Sequence, residues 1–330
     1  MDKVFIENIF KSFEKLKVLI IGDVMIDSYL WGNVERISPE APVPIVEVNK
    51  REERLGGAAN VALNIQSLGA TPIITTIIGD DKKANDFIEI LDENNLSAEG
   101  IIKSKKRITT TKFRVIGNNT QLLRVDEEVK TNIDTEEEEL LIAKIEKIIN
   151  DKNIDVIIFQ DYDKGVITKN IIDITVKYAN SKNIPIAVDP KKRNFLSYNN
   201  VTLFKPNLKE LNEGLNIKVE RNNIESIKNA TKILFEKLNI KLALITLSEA
   251  GVYISNYNKE EIIPAHIRNI SDVSGAGDTV ISVASLCLAL NLDISLIAKL
   301  SNLAGGLVCE EVGVVPINRN IFLEQAIKTV

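Results

Sequence analysis

Short apolar runs alternate with amphipathic segments along most of this chain, and that alternation limits the folds open to it. Five runs are typical of strands that stop at a turn-forming or acidic residue: VLIIGD (18–23), TPIITTIIGDD (71–81), IDVIIFQD (154–161), IPIAVDP (184–190) and LALITLS (242–248). Helical patterns follow in GGAANVALNIQSLGA (56–70), ANDFIEILDENN (84–95) and ITKNIIDITVKYANS (167–181). Apolar strands separated by helices indicate a mostly parallel sheet covered on both faces. The sequence therefore predicts an α/β fold.

Two stretches break this alternation, at about residues 28–55 and 107–126. They contain WGNVERISPEAPVPIVEVNKREE and RITTTKFRVIGNNTQLLRVD, in which apolar and polar residues alternate and Thr, Val and aromatic residues are common. This pattern is typical of half-buried antiparallel strands. We expect a single domain over residues 1–330, with the two stretches inserted as a small β lid.

The composition excludes several classes of protein. The chain has 330 residues, of which 45% are hydrophobic and 26% charged, with a net charge of −5. These values are those of an ordinary globular protein, and the absence of a basic stripe argues against nucleic acid as a partner. The N-terminal segment MDKVFIENIFKSFEKL predicts an amphipathic helix rather than a signal peptide. The apolar run Val280–Leu290 has 11 residues, too few to cross a bilayer. These features predict a cytoplasmic protein with no membrane partner.

Cysteine and histidine are too few for several kinds of site. Cys287 and Cys309 are the only cysteines, and both lie in apolar helical context, so we expect buried structural thiols. His266 is the single histidine and is expected to be structural. A disulfide framework, a zinc cluster and a Ser-His-Asp triad are therefore excluded.

The acidic segment IDTEEEELLIAKIEKIIN (133–150) is typical of a solvated helix. Thr135 and Glu138 have the spacing of a capping box, in which each side chain bonds the other residue's backbone amide. No function is assigned to this helix.

The segment DVSGAGDT (272–279) carries the clearest chemical signal. It lies between strand-like pieces and the apolar helix VISVASLCLAL, so its small residues lie at a helix N-terminus. Unpaired amides and the positive end of the helix dipole make such a terminus an anion site. Asp278 in the first turn could take a proton from a hydroxyl while the amides of Gly275, Ala276 and Gly277 hold a transferring phosphoryl group. The alternative is that Asp278 only complements the dipole.

Other nucleotide-binding signatures are missing from the sequence. There is no G-x-x-x-x-G-K-[ST] segment, and the first strand ends in GDVMID rather than G-x-G-x-x-G. The H-R-D and D-F-G segments of protein kinases are also missing. P-loop, dinucleotide-binding and protein-kinase sites are therefore excluded.

Two segments together resemble the signatures of the ribokinase-like (PfkB) family of carbohydrate kinases. GGAANVALNIQSLGA is similar to the family's N-terminal signature and DVSGAGDTVIS to its C-terminal signature, and the resemblance covers about residues 17–317. Within the family the chain most resembles the heptose-7-phosphate kinases of lipopolysaccharide core synthesis, above all in ISPEAPVP. QLLRVD, QDYDKG (160–165), VDPK (188–191), KPNLKE (205–210) and ITLSEAG (245–251) also support this. The implied fold is a three-layer α/β/α sandwich with a small β lid.

The resemblance implies roles at the nucleotide side of the site. Asp278 would be the catalytic base and Gly275–Gly277 the anion hole. ATP and Mg²⁺ would be served by Asn207, Glu210, Ser248, Gly251 and Asn302, with Glu210 acting on Mg²⁺ through water. Mg²⁺ suits such a site because it keeps waters and uses few carboxylates. From its residues alone, PNLKE would be interpreted as a capped helix start. Asp272 and Ser274 match positions that bind a monovalent cation such as K⁺ in some relatives.

The resemblance also implies a sugar site. Asp27, Gly56, Gly57 and Asn60 match positions that hold sugar hydroxyls, although the two glycines could equally form a plain tight turn. A phosphate on the sugar would need cations, and the candidates are Lys112, Arg114, Arg124, Lys164 and Lys191. Each of these, taken singly, could be a solvated surface charge.

The implied reaction is ATP-dependent phosphorylation of D-glycero-D-manno-heptose 7-phosphate at the anomeric hydroxyl, which gives the 1,7-bisphosphate. The resemblance implies a homodimer through the lid, since the lid strands of relatives often pair across a two-fold axis, and an exposed lid edge would also favour pairing. A separate nucleotidyltransferase is expected to adenylylate the product, since the H-x-G-H motif of that enzyme needs two histidines and the chain has one. The alternatives are a kinase of the same fold for another sugar and a non-catalytic protein that binds a sugar phosphate.

Overall fold

Nine strands of one chain form the central sheet of this computed structural model, which describes residues 2–265 and 270–330. Their order across the sheet is β13-β12-β11-β10-β9-β8-β1-β4-β5. The strands are β1 (Lys17–Gly22), β4 (Thr71–Gly79), β5 (Ile101–Ser104), β8 (Val156–Gln160), β9 (Ile186–Asp189), β10 (Leu203–Phe204), β11 (Leu242–Thr246), β12 (Val252–Ser255) and β13 (Glu260–Ile263). Within those residues β12 is antiparallel to both of its neighbours, and the other neighbouring pairs are parallel. The predicted mostly parallel sheet is confirmed.

Ten helices in the described residues cover the two faces of this sheet. One layer contains α1 (Lys3–Phe13), α2 (Ala58–Ser67), α3 (Lys82–Glu93), α8 (Ala276–Ala289), α9 (Ile294–Val308) and α10 (Arg319–Thr329). The other contains α4 (Thr135–Lys152), α5 (Lys169–Ser181), α6 (Leu208–Leu215) and α7 (Ile224–Leu238). Alternate residues of β1 enter different layers, with Val18 and Ile20 on one side and Leu19 and Ile21 on the other. A continuous apolar run is therefore required, because both faces of the strand are buried.

A second sheet of four strands has the order β3-β2-β6-β7, and we call it the lid sheet. It consists of β2 (Val24–Ile37), β3 (Pro44–Gly57), β6 (Thr111–Gly117) and β7 (Thr120–Glu127). The two hairpins are antiparallel, but β2 and β6 pair in parallel from Ile26↔Thr111 onward. The expectation of a wholly antiparallel sheet is therefore wrong. The first strands of both insertions leave the core side by side, so they run in the same direction.

The two faces of the lid sheet differ in chemistry. Strand register places Asp27, Arg54 and Lys112 on one face, where charged side chains dominate. The opposite face carries Leu30, Phe113, Val115, Leu123 and Val125. Leu123 is 56% exposed and Val125 44% exposed, so this face is an exposed apolar surface over β6 and β7, whereas β3 contributes Arg51 and Glu53 to it.

The capping box of α4 is formed by Asp134 and Glu137 rather than by Thr135 and Glu138. Asp134 has an extended backbone and is the N-cap, so the helix begins at Thr135, one residue earlier than a cap at Thr135 would place it. Glu137 is buried and also accepts a hydrogen bond from the Ser104 hydroxyl. The first turn of this acidic helix is therefore not wholly solvated.

The expectations for the two cysteines and the histidine compare differently with the structure. Cys287 is buried in α8 as expected, whereas Cys309 ends α9 and is half-buried, so the expectation of two buried thiols is wrong for Cys309. The helix ends there, which exposes the thiol to the cleft described below. His266 lies outside the described residues. Within residues 2–265 and 270–330, no helix combines the length and apolar character needed to cross a bilayer.

Candidate active site

A cleft of about 500 Å³, which we call the α8 cleft, lies where β8–β11 end and α8 begins. Ligands of open α/β sheets bind at this edge, because the carboxyl ends of all the parallel strands lie there. The structure brings ten predicted site residues to this cleft: Lys191, Asn207, Glu210, Ser248, Gly251, Gly275, Ala276, Gly277, Asp278 and Asn302.

The N-terminus of α8 forms one wall of the cleft. Gly275 is the N-cap residue and has a left-handed backbone with φ of 82°, which explains the glycine. A Cβ built on Gly277 would meet nothing closer than 3.8 Å, so its surface faces open space. The amides of Gly275 and Gly277 lie in the region where unpaired helix donors attract anions, whereas the Ala276 amide donates to the Val273 carbonyl at 3.3 Å. This wall can hold a phosphoryl group.

Asp278 is buried in the first turn of α8 and accepts hydrogen bonds from three side chains. Asn60 Nδ2 lies 2.6 Å from Oδ2, while Gln160 Nε2 and the Tyr162 hydroxyl lie 3.1 Å and 2.7 Å from Oδ1. Burial raises the pKa of Asp278 to about 6, and the hydrogen bonds from Asn60 and Tyr162 oppose that rise. A carboxylate in this state is ionised at neutral pH and basic enough to take a proton.

Two lysine–carboxylate pairs lie beside this base. Lys205 is buried with Nζ 3.0 Å from Asp189 Oδ2, and Lys191 contacts Glu210 and lies 3.8 Å from Asp189 Oδ1. Both lysines line the α8 cleft. Cations next to the helix terminus make the floor of the cleft suitable for a polyphosphate.

Four of these side chains, Gln160, Tyr162, Asp189 and Lys205, were not identified as site residues from the sequence. Each lies at or just beyond the end of β8, β9 or β10, inside the segments QDYDKG, VDPK and KPNLKE. The available signal was that parallel strands end at one sheet edge, so polar residues after them converge.

Asn207 and Glu210 form the capping box of α6, with both reciprocal backbone bonds at 2.8 Å. The capped helix start that PNLKE suggests is therefore present in the structure. Glu210 also faces Lys191 in the α8 cleft. Within the described residues there is no cluster of three or more His, Cys, Asp or Glu that could hold a metal. One carboxylate with waters and phosphates is the donor set that Mg²⁺ commonly uses, so Glu210 fits such an ion.

The rest of the cleft is built by tight backbone turns. Ser248 has φ of 54°, a left-handed conformation that favours glycine, and Gly251 has φ of 93°. A Cβ on Gly251 would overlap the carbonyl of Ile263, so a side chain is excluded there. Asn302 donates from Nδ2 to the carbonyl of Pro264 at 2.8 Å, which ties α9 to the end of β13.

Asp272 and Ser274 form a tight turn ahead of α8. The Asp272 carboxylate accepts from the Ser274 amide at 2.9 Å and from the Gly313 amide at 3.0 Å. Each carboxylate oxygen of Asp272 therefore accepts a hydrogen bond from a backbone amide, and the turn fixes the backbone that leads into α8.

The predicted sugar residues lie between Asp278 and the base of the lid sheet. Asn60 bonds Asp278 directly, and Gly57 is the N-cap of α2 with φ of 61°. Asp27 is buried and paired with Arg114, and a Cβ on Gly56 would lie 2.5 Å from its Oδ2. Gly56 therefore allows the close approach of the Asp27 carboxylate.

The five candidate phosphate cations do not converge at one point. Lys112 and Lys164 share Glu128, with Nζ to Oε2 distances of 3.5 Å and 2.7 Å. Arg124 is 51% exposed and pairs with Asp126. Arg114 lies with Asp27, and Lys191 lies in the α8 cleft rather than under the lid sheet.

Arg54 was not predicted from the sequence and lies near Arg114. The two guanidinium carbons are 5.0 Å and 5.2 Å from the centroid of the Tyr29 ring. Arg54 Nη1 also lies 3.4 Å from the carbonyl of Val314, in a loop that adjoins Gly275. The charged face of the lid sheet is thereby turned toward the start of α8.

Comparison with known proteins decides the family. The profile described as pfkB family carbohydrate kinase matches residues 15–320. The chain belongs to this family. The family predicted from the two sequence signatures is confirmed, and this pfkB-family chain is a sugar kinase.

Curated relatives of this pfkB-family kinase include two named bifunctional protein HldE. The protein of Syntrophotalea carbinolica is 36% identical over 319 residues, which cover 96% of this chain and 64% of the relative. That of Aliarcobacter butzleri is 40% identical over 300 residues, which cover 91% of this chain and 62% of the relative. The chain thus spans less than two thirds of the length of these relatives.

Solved structures with the same fold are more distant in sequence. Phosphofructokinase-2 from Escherichia coli in complex with potassium has a TM-score of 0.79 at 16% identity, covering 95% of this chain and 98% of that chain. Ribokinase from Arabidopsis thaliana, complexed with ribose and ATP, has a TM-score of 0.72 at 14% identity, covering 96% and 99%. The predicted ribokinase-like fold is confirmed.

Proposed function

We propose that this pfkB-family kinase transfers the γ-phosphoryl group of ATP to the anomeric hydroxyl of D-glycero-D-manno-heptose 7-phosphate. The product is the 1,7-bisphosphate, an intermediate of ADP-heptose and lipopolysaccharide core synthesis. The observation that carries the proposal is the position of Asp278, which lies between the α8 cleft and the predicted sugar residue Asn60. A reaction that uses ATP and a phosphorylated sugar favours the cytoplasm.

Different residues of the site would carry out different parts of the phosphoryl transfer. Asp278 takes the proton of the acceptor hydroxyl, and the amides of Gly275 and Gly277 stabilise negative charge on the transferring group. Lys191 and Lys205 neutralise phosphate oxygens in the α8 cleft. Mg²⁺, held by Glu210 through water, would neutralise further phosphate charge when bound. Asn207, Ser248, Gly251 and Asn302 would shape the nucleotide side, and the lid sheet would exclude water.

The choice of a phosphorylated sugar rests on the charge of the lid. Lys112 and Lys164 are both largely buried and both pair with Glu128, and Lys112 also pairs with Asp126 at 2.9 Å. Arg114 and Arg54 add two guanidinium groups on the same face, each paired with one acid. A neutral sugar would not require this concentration of cations, whereas a sugar phosphate would be held by them.

A kinase of the same fold for another sugar is the main alternative. The structural neighbours include a phosphofructokinase and a ribokinase, so the fold accommodates different acceptors. The resemblance of ISPEAPVP to the heptose subgroup favours heptose, as does the similarity to proteins named HldE. A non-catalytic sugar-phosphate-binding protein would have no use for the ionised base at Asp278.

We expect the purified chain to consume ATP fastest with D-glycero-D-manno-heptose 7-phosphate in a panel of acceptors. The panel contains that sugar with and without its phosphate, sedoheptulose 7-phosphate, fructose 6-phosphate, fructose 1-phosphate, ribose and adenosine. A kcat/KM at least about tenfold higher for the phosphorylated heptose, with new phosphate on the anomeric carbon, supports the proposal. Preference for another acceptor overturns the substrate but keeps the kinase. Replacing K⁺ by Na⁺ in the same assay tests the cation role of Asp272 and Ser274.

The next step of the proposed route adds a nucleotide to the product. The subgroup resemblance implies that a nucleotidyltransferase adenylylates the sugar. The HldE relatives are called bifunctional and are longer than this chain. We assign residues 1–330 to the kinase step. They form one kinase domain, into which the lid sheet is inserted.

A homodimer through the lid sheet is also proposed. The apolar face with Leu123 and Val125 is exposed in the single chain, and burying it would remove apolar area from water. We expect the mass of a dimer in sedimentation at micromolar concentration, and a monomer for Leu123→Asp. Val4→Asp is the matched control, because Val4 is 57% exposed on α1. A monomeric wild-type protein, or a dimeric Leu123→Asp variant, would contradict the proposal.

A further inference from the structure

The hydrogen bonds at Asp278 are distributed unevenly over its two oxygens. Within the described residues, Oδ1 accepts from both Gln160 Nε2 and the Tyr162 hydroxyl, whereas Oδ2 accepts from Asn60 alone. Each carboxylate oxygen has two lone pairs that accept hydrogen bonds. Oδ1 is therefore saturated, and Oδ2 keeps one free acceptor position.

The backbone that carries Tyr162 is anchored to the core. Asp23, which follows β1, accepts from the amides of Tyr162 at 2.9 Å, Lys164 at 3.2 Å and Val166 at 3.1 Å. Lys191 Nζ lies 5.6 Å from the centroid of the Tyr162 ring. Burial and the neighbouring Asp278 raise the pKa of Tyr162 well above its usual value, so the phenol stays protonated and donates.

We propose that Tyr162 is a positioning residue that, together with Gln160, saturates Oδ1 of Asp278 and thereby directs the proton of the acceptor hydroxyl to Oδ2. This inference rests on the proposed role of Asp278 as the base. In the step, the sugar O–H bond breaks as a bond between that proton and Oδ2 forms. The sugar oxygen bonds to the γ-phosphorus, and the bond from phosphorus to the leaving oxygen of ADP breaks.

The same hydroxyl stabilises the ionised form of the carboxylate. Charged and hydrogen-bonding groups face Asp278 from each element packed around it: Asn60 from α2, Gln160 and Tyr162 at the end of β8, Asp189 and Lys191 at the end of β9, and Lys205 after β10. Asp189 raises the pKa of Asp278, while Lys205 and the donor groups lower it. Removing the Tyr162 donor must therefore raise the pKa of the base further.

We expect Tyr162→Phe to move the acid limb of the kcat/KM profile upward by about one pH unit, because this profile reports the groups of the free protein. We expect the wild-type limb near pH 6, because burial raises the pKa of Asp278 to about 6. Activity falls below that pH as Asp278 becomes protonated, so a raised pKa moves the loss to higher pH. At the alkaline plateau the variant should keep kcat within about tenfold of wild type. Tyr253→Phe is the control, since its hydroxyl bonds Glu260 at 2.7 Å away from the cleft.

An acid limb of Tyr162→Phe that coincides with that of wild type would overturn the proposal. Gln160→Met removes the second donor to Oδ1 and is expected to move the limb in the same direction, with a larger movement in the double variant. Asp278→Asn separates this inference from the proposed function. If Asp278→Asn stays active, the base assignment fails. If it is inactive while the Tyr162→Phe limb is unmoved, the positioning role alone fails.

Discussion

Asp278→Asn is expected to reduce kcat by roughly 10²–10⁴-fold, because an amide cannot take the proton of the acceptor hydroxyl. KM for ATP should change much less, since Lys191, Lys205 and the α8 amides remain in the cleft. The variant should fold, as burial dominates the environment of Asp278 and raises its pKa to about 6. A neutral side chain is accepted more readily than a charge at such a position. Single-turnover kinetics at pH 8 with saturating substrates measure the effect.

The matched control for this substitution is Glu225→Gln in the first turn of α7. Like Asp278, Glu225 is an acid near the positive end of a helix dipole, but it is exposed and pairs with Lys228 at 3.5 Å. If Asp278 only complemented its dipole, both variants would lose a few tenths of a kcal/mol of stability and keep their activity. If the kcat of Asp278→Asn is within a few-fold of the wild-type value, Asp278 is not the catalytic base.

Gly57→Ala is expected to lower the free energy of unfolding by roughly 3–5 kcal/mol, a large part of the stability of a typical domain. Gly57 has φ of 61°, and a Cβ there would overlap the carbonyl of Asp23. That carbonyl also accepts from the Ala58 amide at 2.9 Å, so neither backbone can move without opening the start of α2. Urea unfolding measures the loss, and a midpoint close to wild type would contradict it.

Gly56→Ala, a substitution at the neighbouring residue, is expected to weaken sugar binding rather than stability. A Cβ on Gly56 would meet side-chain atoms, Asp27 Oδ2 at 2.5 Å and Met25 Cγ at 2.8 Å. Side chains can shift, so the fold should survive while the Asp27 carboxylate is displaced. We expect KM for the sugar to rise roughly 10–100-fold with little change in the unfolding midpoint. Equal loss of stability in both variants would favour the plain tight turn over a sugar contact.

The central sheet could be predicted because its strands are buried on both faces and so must be apolar throughout, as in Val18–Ile21. The lid sheet was predicted less well. Alternating polarity indicated strands at about 28–55 and 107–126, but it carries no information on the direction in which β2 and β6 pair. The capping box of α4 differed by one residue, because Asp134 and Thr135 are both good N-caps and only backbone geometry chooses between them.

Some residues of the candidate site were also predicted from the sequence and others were not. Asp278 and the glycines before it were predicted from their position at a helix start, where chemistry follows from local sequence. Gln160, Asp189 and Lys205 were not predicted as site residues, since each comes from a different strand end and nothing local marks it. The pairing of Lys112 and Lys164 at Glu128 likewise joins segments that are far apart in the chain.

The sequence by itself determined the α/β class, the helix that follows Gly275 and the kinase family, because periodicity and short motifs act over a few residues. Only the tertiary structure decided how the hydrogen bonds to Asp278 are shared between its two oxygens, which cations meet, and how the lid hairpins pair. These are contacts between segments distant in sequence, and their geometry depends on how the sheet assembles, so no local pattern of residues encodes them.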